Sequence, residues 1–227
     1  MPKFIEHLQR FLEYRLKENP LFALARHIPQ AHASLSQGKW EKNRFLGAEI
    51  SGKTLGVIGL GNIGRIVAQK AQAFGMKVIA CDPAYSKHQI ENSNVTIVKF
   101  EQLLKESDFI SIHVPLNKHT HNLINEATFA MMKKGARLIN AARGGIVCEQ
   151  ALLAALDSGH IAGAALDVFK EEPPAINHPL LNHPKVIVTP HVGASTIEAQ
   201  ERVALQLAEQ TRDFLLNGTL RNVVNAQ

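Results

Sequence analysis

Three polar side chains with complementary chemistry follow apolar runs in this chain. Arg143 comes shortly after the run ending at Asn140, Glu172 after the run that holds Asp167, and His191 directly after Thr189-Pro190. A guanidinium offers a planar fork for a carboxylate or a carbonyl oxygen. An imidazole can carry a proton near neutral pH, and a carboxylate bonded to it would orient the ring and favour its charged form. The set suits hydride transfer to a 2-keto acid, whose carbonyl must gain a proton as the hydride arrives. Each residue alone has an ordinary reading: a histidine in a turn, an arginine in an ion pair, a glutamate solvated ahead of Pro173 and Pro174. Their joint placement after successive apolar runs is what points to chemistry. Gly144-Gly145 would let the chain pass close to a ligand.

A glycine loop would supply the redox partner. Val57-Ile58-Gly59-Leu60-Gly61-Asn62-Ile63-Gly64-Arg65 reads GxGxxG between a β-rich run and a helical stretch. Gly59 permits the tight turn, Gly61 lets a pyrophosphate approach the backbone, and Gly64 lets helix and strand pack closely. The amides and dipole at the helix start favour phosphate charge. A lone GxGxxG is often only a tight turn. Here the next β-rich run ends at Asp82, 23 residues after Gly59, where a carboxylate can accept bonds from a ribose 2′-OH and repel a 2′-phosphate. Asp82 could instead cap the turn at Pro83. The reading is a dinucleotide site preferring NAD, with Lys87 and His88 leaving some tolerance of NADP.

These groups need a frame. Short β-rich runs at 54–58, 77–81, 95–98, 109–113, 137–140, 163–168 and 186–189 alternate with helical stretches near 62–74, 100–106, 125–133 and 149–158. Several runs are continuously apolar, as in a sheet covered on both faces. Strands joined by helical crossovers imply an α/β fold, a Rossmann-type doubly wound parallel sheet with flanking helices. In such sheets the ligand crevice lies beyond the C-terminal ends of the strands, where the three polar groups and the glycine loop fall. Ahead of the sheet, apolar spacing predicts a helix over 3–17, and Asn19-Pro20 reads as the N-cap and first residue of a second. A final helix is expected over 195–216. The expected division is a helical lead-in at 1–46, a nucleotide-binding domain at 47–194, and a C-terminal helix and tail at 195–227.

Composition narrows the class. The chain has 227 residues, 45% hydrophobic and 20% charged, which excludes disorder and allows one large core. Cys81 and Cys148 form neither a disulfide framework nor a CxxC pair, which argues for a reducing compartment and against a cysteine-rich metal site. Residues 1–53 hold nine Lys/Arg against five Asp/Glu, and the remainder sixteen against fifteen. No basic run forms, so a solvated helix face is favoured over a nucleic-acid partner. No apolar stretch is long enough to span a membrane, and the cytoplasm is the default location. His113, His119, His121, His160, His178 and His183 lack chemical company and read as turn or surface residues. No metal site is expected.

The chain resembles the D-isomer-specific 2-hydroxyacid dehydrogenases. The similarity is carried by Gly52-Lys53-Thr54-Leu55-Gly56-Val57-Ile58-Gly59, Asn140-Ala141-Ala142-Arg143-Gly144-Gly145-Ile146-Val147, Gly163-Ala164-Ala165-Leu166-Asp167-Val168-Phe169 and Pro190-His191-Val192-Gly193-Ala194-Ser195-Thr196. It implies NAD as cofactor and a D-2-hydroxy acid, with 3-phosphoglycerate the first substrate to consider. It implies Arg143, Glu172 and His191 as the catalytic set, Glu172 because it directly precedes Pro173. It implies cofactor contacts from Asn62, Ile63, Asp82, Ala141, Ala142, Arg143, Asp167, His191, Gly193 and Ala194, with Asp167 on the nicotinamide carboxamide. Val114 stands beside the cofactor where the family commonly has a threonine, which removes one possible bond. Cys148 replaces a family aspartate, so the helix over 149–158 loses a favourable N-cap.

The resemblance further implies a homodimer and a flavodoxin-like substrate domain ahead of the nucleotide domain. Almost all of that domain is unmatched here, and residues 1–20 do not resemble the corresponding segment. Without that wall of the cleft, water is not excluded and a keto acid is held from one side. The expectation is a chain that binds NAD(H) but reduces keto acids poorly or not at all. Two other classes compete: an NAD(H)-binding sensor or interaction module without catalysis, and an assembly partner that packs the apolar face of 3–17 on a second copy.

Overall fold

The computed structural model describes residues 14–83 and 94–219, with main chain alone for 14–19. Seven parallel strands form one sheet: β1 (Thr54–Ile58), β2 (Lys77–Cys81), β3 (Thr96–Ile97), β4 (Phe109–Ile112), β5 (Ala136–Asn140), β6 (Ile161–Leu166) and β7 (Val186–Val188). Their order is β3-β2-β1-β4-β5-β6-β7, so chain direction across the sheet reverses between β1 and β4. That switch point is where the glycine loop leaves β1. The expected strands are all present, with ends shifted by two residues or fewer. The largest consequence is at β6, which ends at Leu166 and leaves Asp167 just past the strand instead of inside it.

The continuous apolar runs follow from burial of both faces. Successive residues alternate between two cores: Leu55, Val57, Phe109, Ile139 and Ala165 face one, while Ile58, Ile110, Ile112, Leu138, Ala164 and Leu166 face the other. A strand covered on one side only would alternate with polar residues. The first core is closed by α1 (Tyr14–Arg26) and α3 (Asn62–Ala73), through Leu21, Leu24, Ala25, Val67, Ala68 and Ala71. The second is closed by α4 (Phe100–Glu106), α5 (Glu126–Met131) and α6 (Glu149–Asp157), through Leu103, Leu104, Phe129, Leu152 and Leu156. Asn125 and Thr128 form a reciprocal capping box that starts α5. The start of α6 has no side-chain cap from Cys148, as expected.

The lead-in departs from expectation. Asn19-Pro20 does not begin a helix. α1 runs through Pro20 and breaks at His27, whose φ of 53° is left-handed, before α2 (Ile28–Ser36). Pro29 explains the break. It has no N–H to give the carbonyl of Ala25, which accepts from the Ala48 N–H at 2.8 Å instead. The helix expected over 3–17 lies outside the described residues apart from its last turn. At the other end, α7 (Ile197–Asn217) is capped by Thr196, whose side chain accepts from the Ala199 N–H. Only Ala199 of this helix is buried, and Ile197, Leu205, Leu207, Leu215 and Leu216 are all exposed. Among the described residues, no helix is long and apolar enough to cross a membrane.

Candidate active site

The phosphate cradle is built from main chain. Gly59 has a φ of +92°, and a Cβ there would lie 2.7 Å from the carbonyl oxygen of His113 and 2.8 Å from Val114 Cγ1. A Cβ on Gly64 would lie 1.9 Å from the carbonyl oxygen of Gly59. Both glycines are demanded by the protein's own packing. Gly61 is different: a Cβ there would meet nothing within 4 Å, and its φ of −59° suits any residue. Its bareness serves nothing in the chain and keeps open the space over the start of α3. No side chain caps that start, so the helix presents bare amides and the positive end of its dipole there. The cradle fits a pyrophosphate. Asn62 is exposed and Ile63 half-buried at its edge. Asp82 Oδ2 accepts the Leu60 N–H at 2.7 Å, so the carboxylate braces the loop across strands and does not cap the turn at Pro83 through that bond. Lys87 and His88 lie outside the described residues.

The second half of the site is a rim of three loops. After β5, buried Asn140 holds a tight turn: its Oδ1 accepts the Ala142 N–H and its Nδ2 donates to the carbonyl of Arg143, both at 3.1 Å. Ala141 and Ala142 are buried, and Arg143 is exposed on the turn. Gly144 has a packing reason for its bareness that the sequence reading does not give. A Cβ there would lie 1.7 Å from the carbonyl oxygen of Phe169, so the glycine is needed where the β5 and β6 loops touch.

After β7, His191 has a left-handed φ of 51°. Asp167, only 6% exposed, holds this turn. Its Oδ1 accepts the Thr189 hydroxyl at 2.5 Å and the Val192 N–H at 2.9 Å, and its Oδ2 accepts the Gly193 N–H at 2.9 Å. Ala194 is exposed just beyond. His191 Nδ1 meets Glu172 Oε2 at 2.7 Å, while Glu172 Oε1 accepts the Phe169 N–H at 3.0 Å. The bond to His191 is the main cause holding the Glu172 carboxyl below its ordinary range; burial opposes it, and the Phe169 N–H and the charges of His191 and Arg143 add to it. Arg143 is thus near enough to act on Glu172 electrostatically.

The structure therefore brings His191 and Glu172 into contact, with Arg143 close by, on the C-terminal edge of the sheet that also bears the cradle. The pair walls an apolar cavity of about 370 Å³ with Phe169, Pro173, Leu181 and Pro190. A larger hollow of about 710 Å³ lies at the opposite edge, where β1 and β2 begin, away from these groups. Of the histidines read as turn or surface residues, four have partners for their side chains: the His183 ring, 10% exposed, pairs with Asp157 at 3.3 Å, and His113 Nε2 meets Ser111 Oγ at 2.8 Å. Half-buried His160 bonds the carbonyls of Phe129 and Met132 at the end of α5, and His178 pairs with Glu149 at 3.1 Å. The positioning roles of Asn140 and Thr189 have a single linear signal, their place at or just past a strand end.

A family model described as "D-isomer specific 2-hydroxyacid dehydrogenase, NAD binding domain" matches residues 20–193. The chain belongs to this family. Within it, the chain is 51% identical over 207 residues to D-3-phosphoglycerate dehydrogenase of Rattus norvegicus, covering 91% of this chain and 39% of that one. Against the Bacillus subtilis enzyme of the same name the identity is 48%, covering 89% and 38%. The chain thus spans well under half the length of these curated relatives. Among solved structures, D-lactate dehydrogenase with NAD+ from Lactobacillus jensenii superposes with a TM-score of 0.82 at 34% identity, covering 100% of this chain and 69% of that one. A glyoxylate reductase from Paecilomyes thermophila gives 0.83 at 35%, covering 90% and 62%.

Proposed function

We propose that the chain binds NAD through the cradle at Gly59, Gly61 and Gly64 and bears the proton-transfer groups for interconverting a D-2-hydroxy acid and its 2-keto acid. The observation that carries this reading is the 2.7 Å contact between His191 Nδ1 and Glu172 Oε2 on the rim that also holds Arg143. With Nδ1 engaged by the carboxylate, Nε2 is the nitrogen left to give a proton to a carbonyl oxygen or take one from a hydroxyl. Arg143 would pair with the substrate carboxylate. The nicotinamide would supply the hydride chemistry. Asp82 would accept from the adenosine ribose. Ala141, Ala142, Val114, Asn62 and Ile63 would line the coenzyme, and Asp167, Gly193 and Ala194 would border its nicotinamide end. The relatives' name makes 3-phosphoglycerate, the entry to serine biosynthesis, the first substrate to test.

The division at residues 47 and 194, a homodimer and a cytoplasmic location belong to the same reading; exposed leucines along α7 support a partner surface. The His191 and Glu172 side chains are 48% and 38% exposed, so water reaches the pair. Turnover by this chain is therefore expected to be weak, because transfer is fastest where water is excluded. Calorimetric titration with NADH, then with a 2-keto acid, tests both parts. Absence of NADH binding overturns the reading. Steady-state turnover with NAD and 3-phosphoglycerate at the level of the full-length relatives overturns the expectation of weak activity.

A further inference from the structure

Behind the rim lies a second carboxylate–imidazole pair, and its bonds converge on the segment that carries Glu172. Glu149 is the first residue of α6. Its Oε1 accepts the Lys170 N–H at 2.8 Å, and its Oε2 meets His178 Nε2 at 3.1 Å. Both side chains are less than one-fifth exposed. The Leu180 N–H donates to His178 Nδ1 at 3.4 Å, which assigns the ring proton to Nε2 and makes His178 the donor to Glu149. The His178 ring also meets Phe169 edge-on, with centroids 5.6 Å apart. Phe169 and Lys170 are therefore held from one side. Gly144, one residue after Arg143, also packs against the Phe169 carbonyl. Between these contacts the Phe169 N–H donates to Glu172 Oε1.

We propose that Glu149, braced by His178, is a positioning residue: it clamps the 169–172 turn against the Arg143 loop so that Glu172 meets His191 in the orientation proton transfer requires. The proposal rests on the reading of His191 as the proton carrier. Glu149 has no bond to His191, Glu172 or Arg143 in this arrangement; it acts through the main chain at Lys170. A carboxylate in the first turn of α6 would also favour the helix dipole, and that alone would make Glu149 only a helix stabiliser. The two roles separate experimentally, because a helix stabiliser leaves the electrostatics of Glu172 untouched.

The test follows the Glu172 carboxyl by carbon-13 NMR titration in the whole chain, with Glu149→Ala, Glu149→Gln and His178→Phe. The groups facing Glu172 are His191 and Arg143; the group facing Glu149 is His178. With the clamp lost, Glu172 loses geometry toward His191 and the Phe169 N–H. Its titration in Glu149→Ala should move up by about half a pH unit or more. His178→Phe keeps a ring against Phe169 and should shift Glu172 less, in the same direction. Glu149→Gln keeps an acceptor for Lys170 and should restore part of the wild-type value. NADH affinity should change by less than about twofold, a difference under 0.5 kcal/mol. An unmoved Glu172 titration in folded Glu149→Ala overturns the proposal. If that variant does not fold, the same result in folded His178→Phe does so. The readout needs no turnover, so a shifted Glu172 in a chain that does not bind NADH would sink the functional reading and leave the clamp standing.

Discussion

At the cradle, the parts that matter are absences: two glycines the packing requires and one, Gly61, that it does not. At the rim, the parts that matter are long side chains tied to distant main chain. Asp167 gathers three donors from 189–193, Asn140 holds the Arg143 turn, and Glu172 bridges from the Phe169 N–H to His191. The cradle is local, lying within one β–α turn and braced by Asp82. The rim is assembled from three loops that meet only when the sheet is complete. One half can therefore be damaged by adding atoms, the other by removing hydrogen bonds.

Substitutions can break that contrast. The largest effect is expected at Gly64. Gly64→Val drives a side chain into the Gly59 carbonyl and should cost about 4 kcal/mol or more, read as a collapse of the urea midpoint. Gly61→Ala should leave that midpoint unchanged while weakening NADH about tenfold in calorimetry, because only a bound pyrophosphate would meet the new methyl. A stability loss in Gly61→Ala would show that the cradle serves the fold at every glycine.

Next comes the rim. Asp167→Asn turns one acceptor oxygen into a donor facing donors and should cost about 1–3 kcal/mol in urea denaturation. It should also broaden the His191 ring resonances in NMR, since Asp167 holds the turn from which that ring projects. The smallest effect is outside the site, on Asp108. Burial pushes its pKa up, but the Thr54 N–H and Lys133 outweigh it and the net shift is down. A carboxyl lowered in the folded state adds stability that is present above the unfolded pKa and fades as pH falls through the folded one. Asp108→Asn should therefore flatten the loss of stability below about pH 4 by roughly 1 kcal/mol or less, and should leave NADH binding unaltered.

The same contrast explains what the sequence disclosed. The cradle was legible because its spacing is local and its three glycines stand between an apolar run and a helical one. The strands were legible because burial on both faces leaves continuous apolar runs such as 78–81. Arg143, Glu172 and His191 could be chosen as strand-end residues, but not the ties that aim them. Nothing in linear spacing joins Glu149 to Lys170 or Gly144 to Phe169, since those meetings depend on which loops the sheet order makes neighbours. At Gly144 the spacing suggests a ligand, and the neighbour that the fold supplies is the Phe169 carbonyl. Pro20 departs from its expected place for a related reason. Its local meaning is a helix start, yet the break falls at His27, where Pro29 frees a carbonyl that the distant Ala48 N–H satisfies.

His191 holds a main-chain conformation that histidine, asparagine and aspartate tolerate better than most residues. The direction of its ring is thus inscribed in the path of the chain as well as in the rotamer. Asparagine at this position could follow that path, whereas valine would fight it. His191→Asn is accordingly the natural blank for this protein: it keeps the path of the chain and erases the proposed proton carrier.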